Sequence, residues 1–585
     1  MERLEIKRIN GHRYYYLSRW EWTDGKCRRT WQKYLGKLEQ FSPILRGQPP
    51  APLRADVYEF GLPMALWQEA LHVRLAECID AFCPKRTQGL STGLYLSLAA
   101  LNRAINPVSK MAMWDWLQQT SLARRLPGTG AAALNSQRFW DHMDGLAEAT
   151  LRSCWEKLLR QVLVQEKVDL GGVCYDGTNF YTFIDTFNTD CTLAQRGKNK
   201  QGRANLRQVS YALFCSAKDH LPLYYEVYPG NRPDAVEFPQ VLRRFEQWLQ
   251  QLGQPPATAT QTVLVFDKGN NSLANFTLLD ELHVSFVGSL RLDEHKDLAQ
   301  VPNADPRFTA CRGERLAQTK AFKVCREVYG RERTVVVTYH ESLFEAQWAT
   351  VQADLTKAAS KLQALAHRLN ERAAGRIKGG PAPTVESVRQ HCATILHRPH
   401  LDRLLVCAVE AEPGAAIRLT YHVDPLAVAN LQQTLLGKTL LVTDQQSWSC
   451  EQIIEAYRSQ FVIEDIFKGM KDRGVGSWWP LFHWTDQKIQ VHGFYCTVAV
   501  LLRSLLWRRV RQGGVELSLK KLLQVLHEIR EVVNVYAPAG GNGAERSQPV
   551  LTTRSELQES LMKILNLSLA AAPPINPRRA NAASS

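Results

Sequence analysis

SCEQIIEAYRSQFVIEDIFKGMK, residues 449–471, sets Tyr457, Glu464 and Lys471 at seven-residue steps. Seven residues make nearly two turns of an α-helix, so the three stack on one face with Gln460, Phe461 and Lys468. Val462, Ile463, Ile466, Phe467 and Met470 fall on the opposite face as a core stripe. Ser449, followed three residues later by Gln452, has the form of a capping box. The expectation is one helix that presents a single carboxylate, Glu464, between an aromatic hydroxyl and cations. Such a face suits a carboxylate that holds a metal ion while its neighbours hold phosphates. Taken alone, it more readily describes a solvated face of mixed charge, and the rest of the chain shifts that balance.

Upstream, Gly172-Val173-Cys174-Tyr175 reads as a short buried strand leading into Asp176. Strands are expected at Leu206 to Ser216 and Leu221 to Tyr228, then a helix from Ala235 to Leu252. The strand Thr262 to Phe266 ends at Asp267, and a helix (Leu273 to Leu282) and a strand (Val284 to Leu290) complete the run. This order predicts an α/β fold with a mixed sheet. Such sheets carry their active groups at strand ends, where Asp176 and Asp267 lie. Residues 292–440 break the rhythm with the long helix Leu343 to Arg372 and the breaker Gly379-Gly380-Pro381-Ala382-Pro383. They read as an insertion before the strand Thr439 to Thr443 returns to the core.

At the N-terminus, Tyr14, Tyr16, Trp20 and Trp22 alternate with Arg13, Leu17, Arg19 and Glu21, and Asp24-Gly25 marks a hairpin turn. Basic and aromatic residues so interleaved suit DNA; equally, they describe a small sheet with packed rings and solvated charges. A proline-rich linker, Pro43 to Pro52, leads to a mostly helical region in which no segment fixes a helix-turn-helix. A helix is expected at Leu517 to Val533, and the tail from Ala570 is rich in Ala, Pro, Asn and Ser. The expected organisation is therefore a β-rich module (1–45), a helical region of DNA-binding use (55–167) and a first part of the core (168–291). An inserted region (292–440), a second part of the core with the Glu464 helix (441–512) and a helical C-terminus with a disordered tail (513–585) follow.

The 585 residues exceed one hydrophobic core. With 45% hydrophobic and 22% charged residues the chain is globular, and its formal charge of +15 favours polyanionic partners, nucleic acid first. Thirteen cysteines lie scattered without a CxxC pair, which disfavours a structural zinc site. Met1 is followed by Glu2-Arg3 with no apolar run, so the expected location is the cytoplasm, in association with the nucleoid, with reduced thiols. The longest apolar stretch, Gly493 to Leu502, is half a membrane span and reads as a core helix, so no membrane partner is expected.

Asp176, Asp267 and Glu464 make a set of hard oxygen donors suited to two Mg²⁺ ions, with Mn²⁺ as a substitute, that hold a phosphodiester in line. Arg196, Lys198, Lys200, Arg203 and Arg207 lie in one loop without an acidic residue, with Gly197 and Gly202 to keep it pliable. They form a second candidate DNA contact, worth about one unit of salt slope per phosphate.

Tyr175-Asp176-Gly177-Thr178, Pro229-Gly230-Asn231-Arg232-Pro233-Asp234, Asp267-Lys268-Gly269 and the Tyr457–Lys471 stretch resemble the DDE-type insertion-sequence transposases with a Y-R-E-K signature. The resemblance spans about 168–510. It implies an RNase H-like core interrupted by an insertion, with Asp176, Asp267 and Glu464 as the catalytic and metal-holding triad. It further implies that Tyr457 and Lys471 contact DNA; Lys468 and Arg458 lie near them as further candidate contacts, and the signature arginine position holds Gln460. The implied reaction is metal-dependent cleavage at terminal inverted repeats and strand transfer into target DNA, by cut-and-paste, in a homodimer or higher oligomer on paired ends. A metal-dependent DNA nuclease on the same core, or a non-catalytic domesticated DNA-binding protein, are the alternatives.

Overall fold

The computed structural model describes residues 2–23, 25–39, 51–83, 89–199, 201–203, 205–251, 262–377, 379–411, 416–474, 478–537 and 545–569. Asp24, Lys200, most of the proline-rich stretch and the tail from residue 570 lie outside them. The chain divides into two compact units, one of residues 1–167, 180–209 and 466–585, the other of 168–179 and 210–465.

The first unit opens with an antiparallel meander of β1 (Glu2–Ile9), β2 (His12–Thr23) and β3 (Lys26–Gly36). The β1–β2 turn is Asn10-Gly11, with φ of +51° and +79°, the two left-handed residues that a tight hairpin requires. Next comes β4 (Arg54–Glu59), a strand at the start of the region expected to be helical.

Helices dominate the rest of this unit. The Asp486–Gln512 helix is its axis: Phe494, Tyr495, Leu501, Leu502 and Leu506 are essentially inaccessible. It is long and apolar enough to cross a membrane, yet 94% of its apolar window is buried within the protein. Helix Thr92–Ile105, capped by Ser91, packs against helix Leu75–Asp80 at a close crossing. There Gly93 N donates to Asp80 Oδ1 at 2.6 Å, and a β-carbon on Gly93 would sit 2.1 Å from the Ala76 carbonyl oxygen. Backbone cannot retreat as a side-chain tip can. Gly93→Ala is therefore expected to destabilise this unit by about 1–3 kcal/mol, the usual range for overpacking, checked by denaturant unfolding.

The second unit is built on a nine-stranded mixed sheet. Its strands are β5 (Gly172–Tyr181), β6 (Gln208–Ser216), β7 (Pro222–Pro229), β8 (Val263–Phe266), β9 (Ser285–Leu290), β10 (Thr309–Ala310), β11 (Thr319–Val328), β12 (Arg331–His340) and β15 (Lys438–Thr443). The order across the sheet is β10-β11-β12-β15-β9-β8-β5-β6-β7. β5, β8 and β9 run parallel, whereas β9, β15, β12 and β11 pair antiparallel. Helix Asp234–Gln251 lies on one face through Phe238, whose ring is 5.0 Å from Tyr175 and 5.6 Å from Phe266.

Part of the expected insertion belongs to this sheet, because β10, β11 and β12 all precede residue 341. The chain leaves the sheet only between β12 and β15. There it forms the 33-residue helix Glu341–Ala373, helix Val385–Ile395 and the hairpin of β13 (Leu405–Glu410) and β14 (Arg418–Val423). These bury a small core of their own around Leu362, Val388, Leu401 and Leu405.

Two further differences from expectation have local causes. The helix expected over Leu517–Val533 stops at His527, and β16 (Arg530–Tyr536) follows. Val533 and Val535 alternate inward there, and β16 pairs with β4 on one side and β17 (Arg546–Leu551) on the other. The helix expected to run unbroken to Lys471 is two helices, Cys450–Arg458 and Phe461–Lys471. Ser459 interrupts it: its hydroxyl donates to the Ala456 carbonyl, its carbonyl accepts from Cys174 Sγ, and the amides of 459, 460 and 462 bond three residues back rather than four. The capping box of Ser449 and Gln452 is present.

Candidate active site

Strand register brings two of the three expected carboxylates together. Tyr175 on β5 stands opposite Phe266 on β8, and the next residue on each parallel strand is an aspartate, Asp176 and Asp267. Adjacent strands lie about 4.8 Å apart, and in-register neighbours project to the same side. Because Tyr175 and Phe266 face helix Asp234–Gln251, Asp176 and Asp267 face the other side. The segment with Tyr457, Ser459 and Gln460 lies on that side: Cys174, two residues before Asp176, has its sulfur 3.2 Å from Ser459 Oγ.

Asp267 is held by two hydroxyls on one oxygen. Ser289 donates to Oδ1 at 2.7 Å and Tyr457 at 3.2 Å. Register explains Ser289, since Gly288 pairs with Phe266 and the following residues are again neighbours. Burial raises the Tyr457 phenol above its usual value against the opposing bond from Ser289, and the charges of Asp267 and Glu464 raise it further. Tyr457 therefore stays a donor, and Glu464 acts electrostatically on the group that holds Asp267. Asp176 Oδ1 accepts from the amide of Gly177 at 2.7 Å.

Gln460 is 5% exposed, and its Nε2 donates to the Tyr175 carbonyl at 3.1 Å, one residue before Asp176. Four residues on, the Glu464 amide closes on the Gln460 carbonyl at 3.4 Å. The residue at the signature arginine position thus pins the start of the Glu464 helix to β5.

Asp176, Asp267 and Glu464 offer hard oxygen donors of the kind that suit Mg²⁺ or Mn²⁺. Among the described residues no three His, Cys, Asp or Glu side chains are gathered closely enough to hold a metal ion. The aspartates are neighbours by register, while Glu464 is an exposed residue in the first turn of its helix.

The basic residues divide by what they touch. Arg207, expected on DNA, is buried at 8% exposure, and every guanidinium nitrogen is spent on carbonyls of Ala194, Asp185, Asn188 and Cys191. That expectation is corrected: Arg207 closes the loop, because a buried guanidinium needs acceptors and the loop supplies four. Arg458 is likewise engaged by the Arg315 carbonyl and the Thr319 hydroxyl. Arg196, Lys198 and Arg203 are exposed on their loop, with Arg203 5.5 Å over the Tyr181 ring. Lys468 is exposed, and Lys471 Nζ lies 6.0 Å over the Phe180 ring. Lys200 lies outside the described residues.

Ser289 was missed in the sequence. Its signal is positional: Asp267 ends one strand of a parallel pair, and Ser289 stands at the same level of the next.

The sequence profile of the Transposase DDE domain family matches residues 169–499, more than half of the chain. The chain belongs to this family of DDE transposases, metal-dependent enzymes that cleave and transfer DNA strands. Among solved structures it is similar to the piggyBac transposase synaptic complex with hairpin DNA, at 9% identity and TM-score 0.34, over 80% of this chain and 79% of that one. It is also similar to the Mos1 transposase paired-end complex with the left transposon end, at 12% identity and TM-score 0.15, over 35% of this chain and 60% of that one. No curated protein matches.

Proposed function

We propose that this transposase serves an insertion sequence of the Y-R-E-K signature group, and that Asp176, Asp267 and Glu464 are its catalytic carboxylates. The observation that carries the reading is the placement of Asp176, within β5, beside Asp267, just past the end of the parallel strand β8, on the face where Tyr457 bonds Asp267. An RNase H-like core is supported by the strand order β7-β6-β5-β8-β9, which puts the first strand of the run at the centre and the later parallel strands beside it.

Two divalent cations, Mg²⁺ or Mn²⁺, would be held by the three carboxylates and would neutralise charge on the phosphodiester oxygens during displacement. The chain's own part is positioning. Ser289 and Tyr457 fix one oxygen of Asp267 and leave Oδ2 to a cation. Gln460 ties the Glu464 helix to the strand carrying Asp176. Arg196, Lys198, Arg203, Lys468 and Lys471 are the side chains assigned to DNA phosphates.

The modules from the N-terminal meander to the helical region before residue 168 are assigned to recognition of terminal inverted repeats. The working form is a homodimer or higher assembly on paired ends, acting in the cytoplasm on nucleoid DNA. The test is incubation of the protein and Mg²⁺ with a substrate carrying the element's ends and with target DNA. Cleaved ends joined to target are the expected product; cleavage without joining favours a nuclease, and neither favours a domesticated binder.

Tyr457→Phe removes one hydrogen bond to a carboxylate and keeps the ring. Such bonds are worth about 1.5–3 kcal/mol, so single-turnover cleavage is expected to slow by about 10- to 100-fold with unfolding unchanged. An unchanged rate would show that Asp267 is positioned without Tyr457.

A further inference from the structure

Beside the Asp486–Gln512 helix, two buried cations have donors without acceptors among the described residues. Arg103 is 2% exposed and Lys110 is 7% exposed. Lys110 Nζ lies 4.3 Å from the centre of the Tyr495 ring and 5.3 Å from that of Phe139, and the Arg103 guanidinium lies 5.8 Å from the same Tyr495 ring. Arg103 Nη2 donates to the Val108 carbonyl at 3.2 Å. Lys110 Nζ and Arg103 Nε and Nη1 have no hydrogen-bond partner among the described residues.

Two histidines meet the Tyr495 hydroxyl, and proton counting fixes one of them. His492 Nε2 is 2.7 Å from the Trp478 carbonyl, which only accepts, so the proton resides on Nε2. Nδ1 then accepts from the Tyr495 hydroxyl at 2.5 Å. His483 Nε2 lies 3.5 Å from that hydroxyl. Burial first, and then the positive charges of Lys110 and Arg103, push His483 down to about 3. The same two influences hold His492 well below its usual value, and burial with Arg103 does so for Lys110.

A buried cation without an anion is strongly unfavourable. Loss of the Lys110 proton relieves the repulsion but not the guanidinium, which does not deprotonate in proteins and whose Nε and Nη1 still have no partner among the described residues. One bound anion answers both groups. Both cations are buried and the rings of Phe139 and Tyr495 lie beside Lys110, which favours a compact monovalent anion over phosphate, whose second charge demands more fixed donors. We propose that Arg103 and Lys110, beside His483 and Tyr495, form a buried site for a small inorganic anion of the size of chloride. Its occupancy joins residues 103–110 to the axial helix. Through Tyr495 and His492 it also steadies Trp478, which stacks on Phe180 at 4.3 Å.

Thermal unfolding of the full-length protein at constant ionic strength, in sodium gluconate exchanged stepwise for sodium chloride, tests this. The wild-type midpoint is expected to rise by a few degrees and level off, as saturable binding to the folded state requires. Lys110→Met is expected to abolish the dependence. Equal wild-type midpoints in the two salts, or a rise that persists undiminished in Lys110→Met, would overturn the proposal. Should that variant fail to fold, wild-type crystals soaked in bromide decide the matter. An anomalous peak beside Lys110 Nζ and Arg103 supports the site, and a peak confined to other positions rejects it.

Discussion

Alanine in place of Asp176 or Asp267 is expected to slow single-turnover DNA cleavage by about a thousandfold or more. Charge stabilisation by a carboxylate-held cation is worth several kcal/mol, and each 1.36 kcal/mol is a factor of ten. Both aspartates are only half-buried and follow the last register pair of their strands, so their removal spares the hydrophobic core. Far-ultraviolet circular dichroism and the unfolding midpoint should therefore match the wild type while cleavage is lost. Glu464→Ala belongs to the same class, and its neighbour supplies the control. Asp465 is as exposed as Glu464 but lies about 100° away around the helix, so Asp465→Ala should cleave at close to the wild-type rate. A pattern in which Asp465→Ala fails and Glu464→Ala cleaves would reverse the assignment.

The largest stability effect is expected at Trp478. The side chain is fully buried, its ring lies parallel to Phe180 at an interplanar angle of 2°, and its carbonyl holds His492. Trp478→Ala removes an aromatic side chain from a site closed by neighbours on several elements, at a cost of about 3–5 kcal/mol. Trp478→Phe keeps a stacking ring and should recover most of that loss. Guanidinium titrations of the two variants compare them directly. If Trp478→Ala unfolds with the wild-type midpoint, the aromatic packing around Phe180 contributes little to this unit.

Local patterns carried the parts of the fold that depend on short-range chemistry. Ser449 and Gln452 announced a helix start, and the run Val173 to Asp176 announced a strand, because capping and strand alternation act within a few residues. The break at Ser459 was hidden, since it depends on Cys174, which reaches the Ser459 carbonyl from 285 positions away. Likewise β16 read as helix from its apolar content, while its partner β4 lies nearly 480 residues upstream, and pairing over that distance has no local signature. The boundary of the insertion was obscured for a similar reason: β11 and β12 declare their membership of the main sheet only through β15.

At the candidate site, the sequence offered Asp267 at a strand end and expected the same of Asp176, which instead lies inside the longer strand β5, and it did not show what holds either. Ser289 became visible only when the register of β8 and β9 was known. Gln460 looked like a missing arginine, and the structure gives it a different task, an amide bridge to the Tyr175 carbonyl. Arg207 shows the converse. A basic loop reads alike whether its arginines face solvent or fold back onto carbonyls, and only burial tells them apart.

The claim that bears most weight is that Asp176, Asp267 and Glu464 share divalent cations. Crystals of the wild-type protein with end DNA and Mn²⁺, measured for anomalous scattering, test it most directly. Manganese peaks between Asp176 and Asp267, with Glu464 beside them, are the result the account expects. Manganese held by other side chains, with these three carboxylates apart from it, would contradict the account.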